Sequence, residues 1–429
     1  MRWIWKLAVP ALCALVTACG GGFNLNDASL RLVNATSGFD SLDLYLDDEL
    51  RSSGVARGAA GGYVDAGTSA AIALTRTGAS TQLLTQTGSF EKRKHYTLLA
   101  YGATGSIRAL QIPEDVAAPA SGRTLVQLIN VAPDAGSLDV YITGSEAALA
   151  DAAPVAAALA SGAAPTSVTV TSGTLRLRVT AAGSKTDLRL DLPAVALGSQ
   201  QVLTLALTAG SGSLMVNALR IDQQGAVTST AGTQARVRAL AAMAGNGSVS
   251  VSIGSTALLS GALTPSVGAY ALVDSGSPAI VATVDSPSSV SVPLPVPAPS
   301  FAAGGEYTLL IWGSAASPQM SVITDSNTLP TLSSNANVRL IHAVTGLADP
   351  LSMTVALAPV AAGVTPGTAS PQTGVPAGSN VRIEVRSIGI TGALFAPDPA
   401  TVTLNAGAVY SVVVYGTPAV PIGQIITER

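Results

Sequence analysis

The feature that most constrains this chain is that it repeats itself with a period near 100 residues. Residues 28–50 read ASLRLVNATSGFDSLDLYLDDEL, and residues 124–146 read TLVQLINVAPDAGSLDVYITGSE. They are one segment written twice, and two fainter copies follow. All four are anchored on the residue ahead of an apolar run: Arg31, Gln127, Arg238 and Arg339. A repeat of this length is the size of a sandwich domain, whereas solenoid repeats run roughly 20–50 residues.

Inside each copy the apolar residues alternate. Leu42, Leu44 and Leu46 are interleaved with Asp43, Tyr45 and Asp47, and Leu138, Val140 and Ile142 with Asp139, Tyr141 and Thr143. Period two places one set on each face of a strand. Late in three copies an aromatic-flanked run recurs: Tyr96–Gly102, Tyr307–Gly313 and Tyr410–Gly416. The second copy keeps that strand, Gln201–Thr208, without the aromatics. Together with the runs between them, these segments predict about seven or eight short strands per copy, which is a two-layer β-sandwich. The second copy also carries an Ala-rich insert, Glu146–Ala160, expected to form one or two helical turns despite Pro154. In the third copy Pro293, Pro295, Pro297 and Pro299 predict an extended crossover that can serve only as an edge. Boundaries fall at Ala117–Gly122, Ala226–Thr233 and Leu329–Asn335.

Hydrophobic residues make up 48% of the chain and charged ones 11%, which raises the question of a membrane protein. Beyond the first residues, however, no apolar run approaches the roughly 18 residues of a spanning helix. A barrel needs strands of about nine to eleven residues, longer than those expected here. The net charge of −3 falls further once Arg2 and Lys6 are removed, so nothing favours nucleic acid.

The first residues, MRWIWKLAVPALCALVTAC, have a charged start and an apolar core of about ten residues, the pattern of a signal peptide. Val16-Thr17-Ala18-Cys19 resembles the lipobox of bacterial lipoproteins, which implies a diacylglyceryl thioether on Cys19 and acylation of its amine. Each buried methylene contributes about 0.8 kcal/mol, so several chains hold a protein on a membrane. Gly20, rather than Asp, follows the cysteine, which points to the outer membrane, with the periplasmic or surface face left open. Cys13 and Cys19 are the only cysteines, so no disulfide is expected in the processed chain.

The repeats themselves resemble a known family. Arg-Leu-Val-Asn-Ala at 31–35, Leu-Ile-Asn-Val-Ala-Pro-Asp-Ala at 128–135 and Arg-Leu-Ile-His-Ala at 339–343 are similar to the opening motif of the domain of unknown function 4397. That domain occurs in bacterial surface proteins and lipoproteins. Its Asp-Val-Tyr is matched at Asp139–Tyr141 and its Ala-Gly-x-x-Tyr at Ala303–Tyr307 and Ala406–Tyr410. The third copy departs, with Ala241 where the others have Asn34, Asn130 or His342. The fold the resemblance implies is immunoglobulin-like, and it brings no activity.

The expected architecture is therefore all-β. A signal peptide (1–18) and a lipidated Cys19 with its tether (19–28) precede four tandem immunoglobulin-like β-sandwich domains at 29–119, 120–231, 232–331 and 332–429. Asp43, Asp47, Asp48 and Glu49 are dense enough for a calcium ion. A solvated strand ending in a hairpin turn is preferred, because the later copies lack the acids. Tyr96, Tyr307 and Tyr410 read as corner tyrosines tied to local backbone. Tyr101, Trp312 and Tyr415 are the candidates for carbohydrate contact. His95 reads as solvated, and His342 as bonded to the loop that follows it. No catalytic pairing, metal or cofactor is expected. The reading is a non-enzymatic, membrane-anchored envelope lipoprotein with a structural or adhesive role. Its partners are the membrane through Cys19 and an envelope protein or glycan. The alternative is a lipoprotein that binds carbohydrate or another envelope ligand.

Overall fold

The computed structural model describes residues 27–103, 105–286, 289–294 and 299–429. The expected signal peptide, Cys19 and the expected tether through Asn26, and Pro295 and Pro297 lie outside the described residues. Regular structure among the described residues is strand, apart from two single 3-10 turns, Pro133–Ala135 and Pro399–Thr401. No helix among them is long and apolar enough to cross a membrane.

Each repeat forms a unit of paired sheets. The first sheet is built on an opening strand: Ser29–Thr36, Arg123–Asn130, Gln234–Ala241 or Asn335–Val344. This strand pairs in parallel with the late strand of its own unit: His95–Gly102, Gln201–Ala209, Glu306–Ser314 or Val409–Thr417. The late strand pairs antiparallel with a closing strand: Arg108–Pro113, Val216–Asp222, Ser317–Thr324 or Val420–Thr427. Parallel neighbours require a long crossover, and here the crossover is the whole second sheet. That sheet is built on the alternating strands Ser41–Leu46, Leu138–Thr143, Ser248–Ile253 and Leu351–Val355. In the first unit Leu30 and Leu32 of one sheet meet Leu42, Leu44 and Leu46 of the other in a single core. The other three units have their own cores.

Two local expectations are corrected. The Ala-rich insert is not helical: Ala156–Leu159 is a strand paired with Leu138–Thr143, and Ala158 has a positive φ of 50° that no α-helix contains. Pro154 removes a helix donor directly before it. The stretch 226–233 is more than a linker, since Val227–Thr230 adds an edge strand to the second unit. Ser289–Pro293 lies at the edge of its sheet, where a proline costs no ladder bond.

The opening strands are buried on both faces. Leu30 and Leu32 point into the first unit, while Val33 and Ala35 point out of it, into a second cluster with Leu99, Ile112, Ile129, Ala206 and Ile221. The first sheets of units one and two thus pack face to face. Units three and four do the same through Leu240, Leu310, Ile323, Ile341, Val413 and Ile426. The same register supplies both clusters, because Ile112, Ile221, Ile323 and Ile426 sit opposite Thr97, Thr204, Thr308 and Ser411. Each isoleucine fully removed from water contributes roughly 1.5–3 kcal/mol. A third junction joins the two pairs. Arg236 reaches Asp187 of unit two at 2.8 Å, and the Leu214 amide donates to Glu306 of unit three at 2.9 Å.

Candidate functional site

The outward faces that meet in the junctions carry a set of polar positions that recurs with the repeat. Arg31, Gln127, Arg238 and Arg339 occupy one place on the opening strand, opposite Thr97, Thr204, Thr308 and Ser411 on the late strand. Two residues beyond each junction isoleucine comes a third position: Glu114, Gln223, Asp325 and Glu428. The arginines are 3–4% exposed, a burial that an unpaired guanidinium would not tolerate.

Between units three and four the charges cross over. Arg238 donates to Thr308 of its own unit at 3.0 Å and to Glu428 of the next at 2.6 Å. Arg339 donates to Ser411 of its own unit at 2.7 Å and to Asp325 of the previous one at 2.7 Å. The hydroxyls close the ring, Thr308 onto Asp325 at 2.7 Å and Ser411 onto Glu428 at 2.6 Å. Tyr270 adds a bond to Asp325 at 2.7 Å and lies under Arg238. Burial alone would raise the Asp325 carboxyl, but Arg339 and Arg238 outweigh it and hold it below its usual range.

Between units one and two the charges stay on one side. Arg31 binds its own Glu114 with Nε at 2.9 Å and Nη2 at 3.0 Å, and Thr97 donates to the same carboxylate. Two further guanidinium hydrogens go to carbonyls of unit two, Gly225 at 2.6 Å and Asp222 at 3.0 Å. Tyr63 donates to Glu114 at 2.6 Å, and burial with that bond pushes its phenol pKa far up. Unit two answers with neutral groups. Gln127 accepts from Thr204, and Gln223 exchanges two bonds with the backbone of Val116.

Sequence reasoning used these residues as repeat anchors and gave them no role. The available signal was an arginine recurring in three copies inside a run whose neighbours on both faces are apolar.

The candidate sugar contacts sit elsewhere than expected. Tyr101 and Tyr415 are 3% and 4% exposed, inside the two junction clusters, so the neighbouring unit covers their rings. Trp312 is half-buried against the second cluster, its Nε1 donating to Ser321 at 3.0 Å.

The acid cluster is local structure. Asp43 accepts from Ser53 at 2.9 Å, the Gly54 amide at 2.7 Å and the Gly78 amide at 3.2 Å, tying down a β-bulge and a hairpin end. Burial would raise its pKa, but the Gly54, Ser53 and Gly78 bonds outweigh it and hold the carboxyl low. Asp139 repeats this with the Ala158 and Gly183 amides. Asp47 and Asp48 both have positive φ, at 49° and 64°, and form a two-residue turn of the kind hairpins favour. No group of three or more His, Cys, Asp or Glu side chains among the described residues could hold a metal ion.

The corner tyrosines tie back five residues. The hydroxyls of Tyr96, Tyr307 and Tyr410 accept from the amides of Glu91, Ala302 and Asn405 at 3.0, 2.9 and 2.9 Å. His342 stands in for an asparagine. Its Nδ1 accepts from Val344 as the side-chain oxygen of Asn130 accepts from Ala132, and its Nε2 lies 3.3 Å from the Asp349 carbonyl. His95 is half-exposed and paired with Asp115 rather than merely solvated. One open cleft, of about 450 Å³, lies where units one and two meet the linker to unit four. Ser37, Ser106, Arg108, Asp134, Thr328 and Thr331 bring polar groups to its wall.

Comparison with solved structures finds two chains described as candidate cell adhesion proteins. One is from Bacteroides uniformis, with 13% identity, 48% of this chain and 98% of that chain covered, and a TM-score of 0.23. The other is from Bacteroides ovatus, with 12% identity, 48% and 97% covered, and a TM-score of 0.23. The Bacillus anthracis TIE protein aligns over 89% of this chain and 66% of its own at 6% identity, with a TM-score of 0.16. A search of curated proteins finds no match. The family described as a domain of unknown function, DUF4397, matches residues 28–141 and 235–348, just over half of the chain, and the protein belongs to that family.

Proposed function

We propose that this chain is a non-enzymatic envelope lipoprotein whose four immunoglobulin-like sandwich domains form a rigid structural or adhesive array, held to the outer membrane through lipid on Cys19. The observation that carries this reading is the use of the first sheets. All four turn their outward faces into paired junctions, so the second sheets, hairpin turns and loops are left to meet a partner. Arrays with large apolar junctions resist relative domain motion, which suits a spacer or a presenting scaffold. The test uses cells making the native chain or Cys19→Ser. The native protein is expected in the outer-membrane fraction with acyl groups on its first residue, and the variant in the soluble fraction. Attachment of those cells to envelope and glycan-coated surfaces should fall with the variant. Equal partitioning of the two proteins would sink the anchor, and equal attachment the adhesive role.

A second reading, binding of a carbohydrate or another envelope ligand, is favoured by the cleft at Arg108. Its volume falls in the range of small-molecule sites. A glycan array with the native chain and Arg108→Ala separates the two readings, since binding lost with the arginine would favour the second.

A further inference from the structure

The cross-strand neighbour of each anchor residue also recurs. Continuing the registers by one residue places Tyr63 opposite Arg31, Tyr270 opposite Arg238 and Gln372 opposite Arg339. Ser167 lies opposite Gln127. In units one and three the tyrosine donates to the acid that its own or the paired arginine binds. In unit two arginine, tyrosine and acid are replaced together, by Gln127, Ser167 and Gln223.

The geometry points to a single docking surface, used twice, in which the residues at these four positions decide which module packs against which. The partner it fits is a second copy of the module. A face with its own arginine and acid accepts a glutamine face, and its charges then pair with each other, as Arg31 and Glu114 do. It equally accepts a second charged face, and then the counter-ions are exchanged, as in Arg238–Glu428 and Arg339–Asp325. What it cannot accept is a face with only one member of the set, because that buries a charge with no counter-ion. Arginine and acid must therefore be gained or lost as a set, and unit two has lost both. This inference does not depend on the role of the array at the envelope.

The test converts unit four into the likeness of unit two, in the full chain. Arg339→Gln, Glu428→Gln and the double variant are unfolded in urea and followed by the emission of Trp312, which packs on this junction. A Trp312→Phe protein supplies the background emission. Each single substitution is expected to move the Trp312 transition to lower urea or to abolish it. The double variant is expected to lie above both singles, because Arg238 and Asp325 are then free to pair with each other. A double variant that fails to rise above both singles overturns the proposal, whether or not the singles fold. The exposed pair Arg57–Asp40, taken through the same cycle, should show no such recovery.

Discussion

The carboxylate of Asp325, on the third unit, lies 2.7 Å from the guanidinium of Arg339, on the fourth, and both side chains are closed to solvent. Removing one partner of such a pair strands the other charge in the junction. Asp325→Ala should therefore cost about 3–5 kcal/mol. By contrast, Arg57→Ala at the exposed Asp40 pair should cost about 0–1 kcal/mol. Urea unfolding at low and high salt checks both, because salt screens the exposed pair and leaves the buried one nearly untouched. The same carboxyl predicts an acid limit. Its folded pKa is below its unfolded value of about 3.9, so its contribution is complete above that value. It is lost as pH falls through the folded pKa. A native chain whose junction transition is flat from neutral pH down to about 2 would contradict this.

Asp43 is a backbone clamp. Its oxygens take two amide bonds and one hydroxyl bond, and Gly54 at the bulge has a positive φ of 69°. Ser53, Gly54 and Gly78 are exposed and turn to water once the carboxylate is gone, so Asp43→Ala should lower the stability of the first unit by the net worth of hydrogen bonds to a charged group, roughly 1.5–3 kcal/mol. Thermal unfolding of native chain and variant with calcium, and again with a chelator, should give the same difference. A calcium-dependent rise in the native protein alone would restore the metal reading.

Gln372 breaks the pattern set by Tyr63 and Tyr270. Its amide nitrogen and oxygen are both buried without a partner, and so is Oε2 of Glu428, the acid of the same unit. A tyrosine hydroxyl serves the acid at this position in units one and three. Gln372→Tyr should therefore raise stability by about 1 kcal/mol, the net worth of one hydrogen bond. The midpoint of the Trp312 transition measures it, and a lowered midpoint would count against the equivalence.

The four-fold repeat, the strand alternation and the local roles of Tyr96, Tyr307, Tyr410 and His342 were legible because each is a short-range signal. A period of two marks Leu42 to Leu46, and a tyrosine bonding five residues back leaves its mark within one segment. The junctions were not legible. Arg31 and Glu114 are 83 residues apart, and Arg238 and Glu428 are 190 apart, so no local pattern links them. The alternation that placed Leu30 and Leu32 inside also placed Val33 and Ala35 outside, and nothing local says that a second module will cover them. For the same reason Tyr101 and Tyr415 read as candidates for carbohydrate contact, although the neighbouring sheet buries them. The Ala-rich insert misled through composition, because its alanines favour helix until Pro154 and the ladder to Leu138–Thr143 intervene.

His342 is the place where this architecture meets neutral pH. The Val344 amide donates to Nδ1 at 3.2 Å, so that nitrogen carries no proton, and Nε2 faces the Asp349 carbonyl. The site therefore requires the neutral ring. Burial lowers the pKa below its ordinary value, with the Asp349 bond opposing. In the unfolded chain the imidazole takes up a proton near pH 6.5. Between that value and the lower folded one, the unfolded state binds more protons, so stability falls as pH falls, by up to about 1.4 kcal/mol per unit. Above about pH 6.5 the contribution is complete. Asn34 and Asn130 hold the same turn with amide groups that do not titrate. His342→Asn should therefore fold to the same structure and flatten the dependence of the unfolding midpoint on pH as the pH falls below about 6.5. Identical slopes for the native chain and the variant would mean that His342 does not titrate on unfolding.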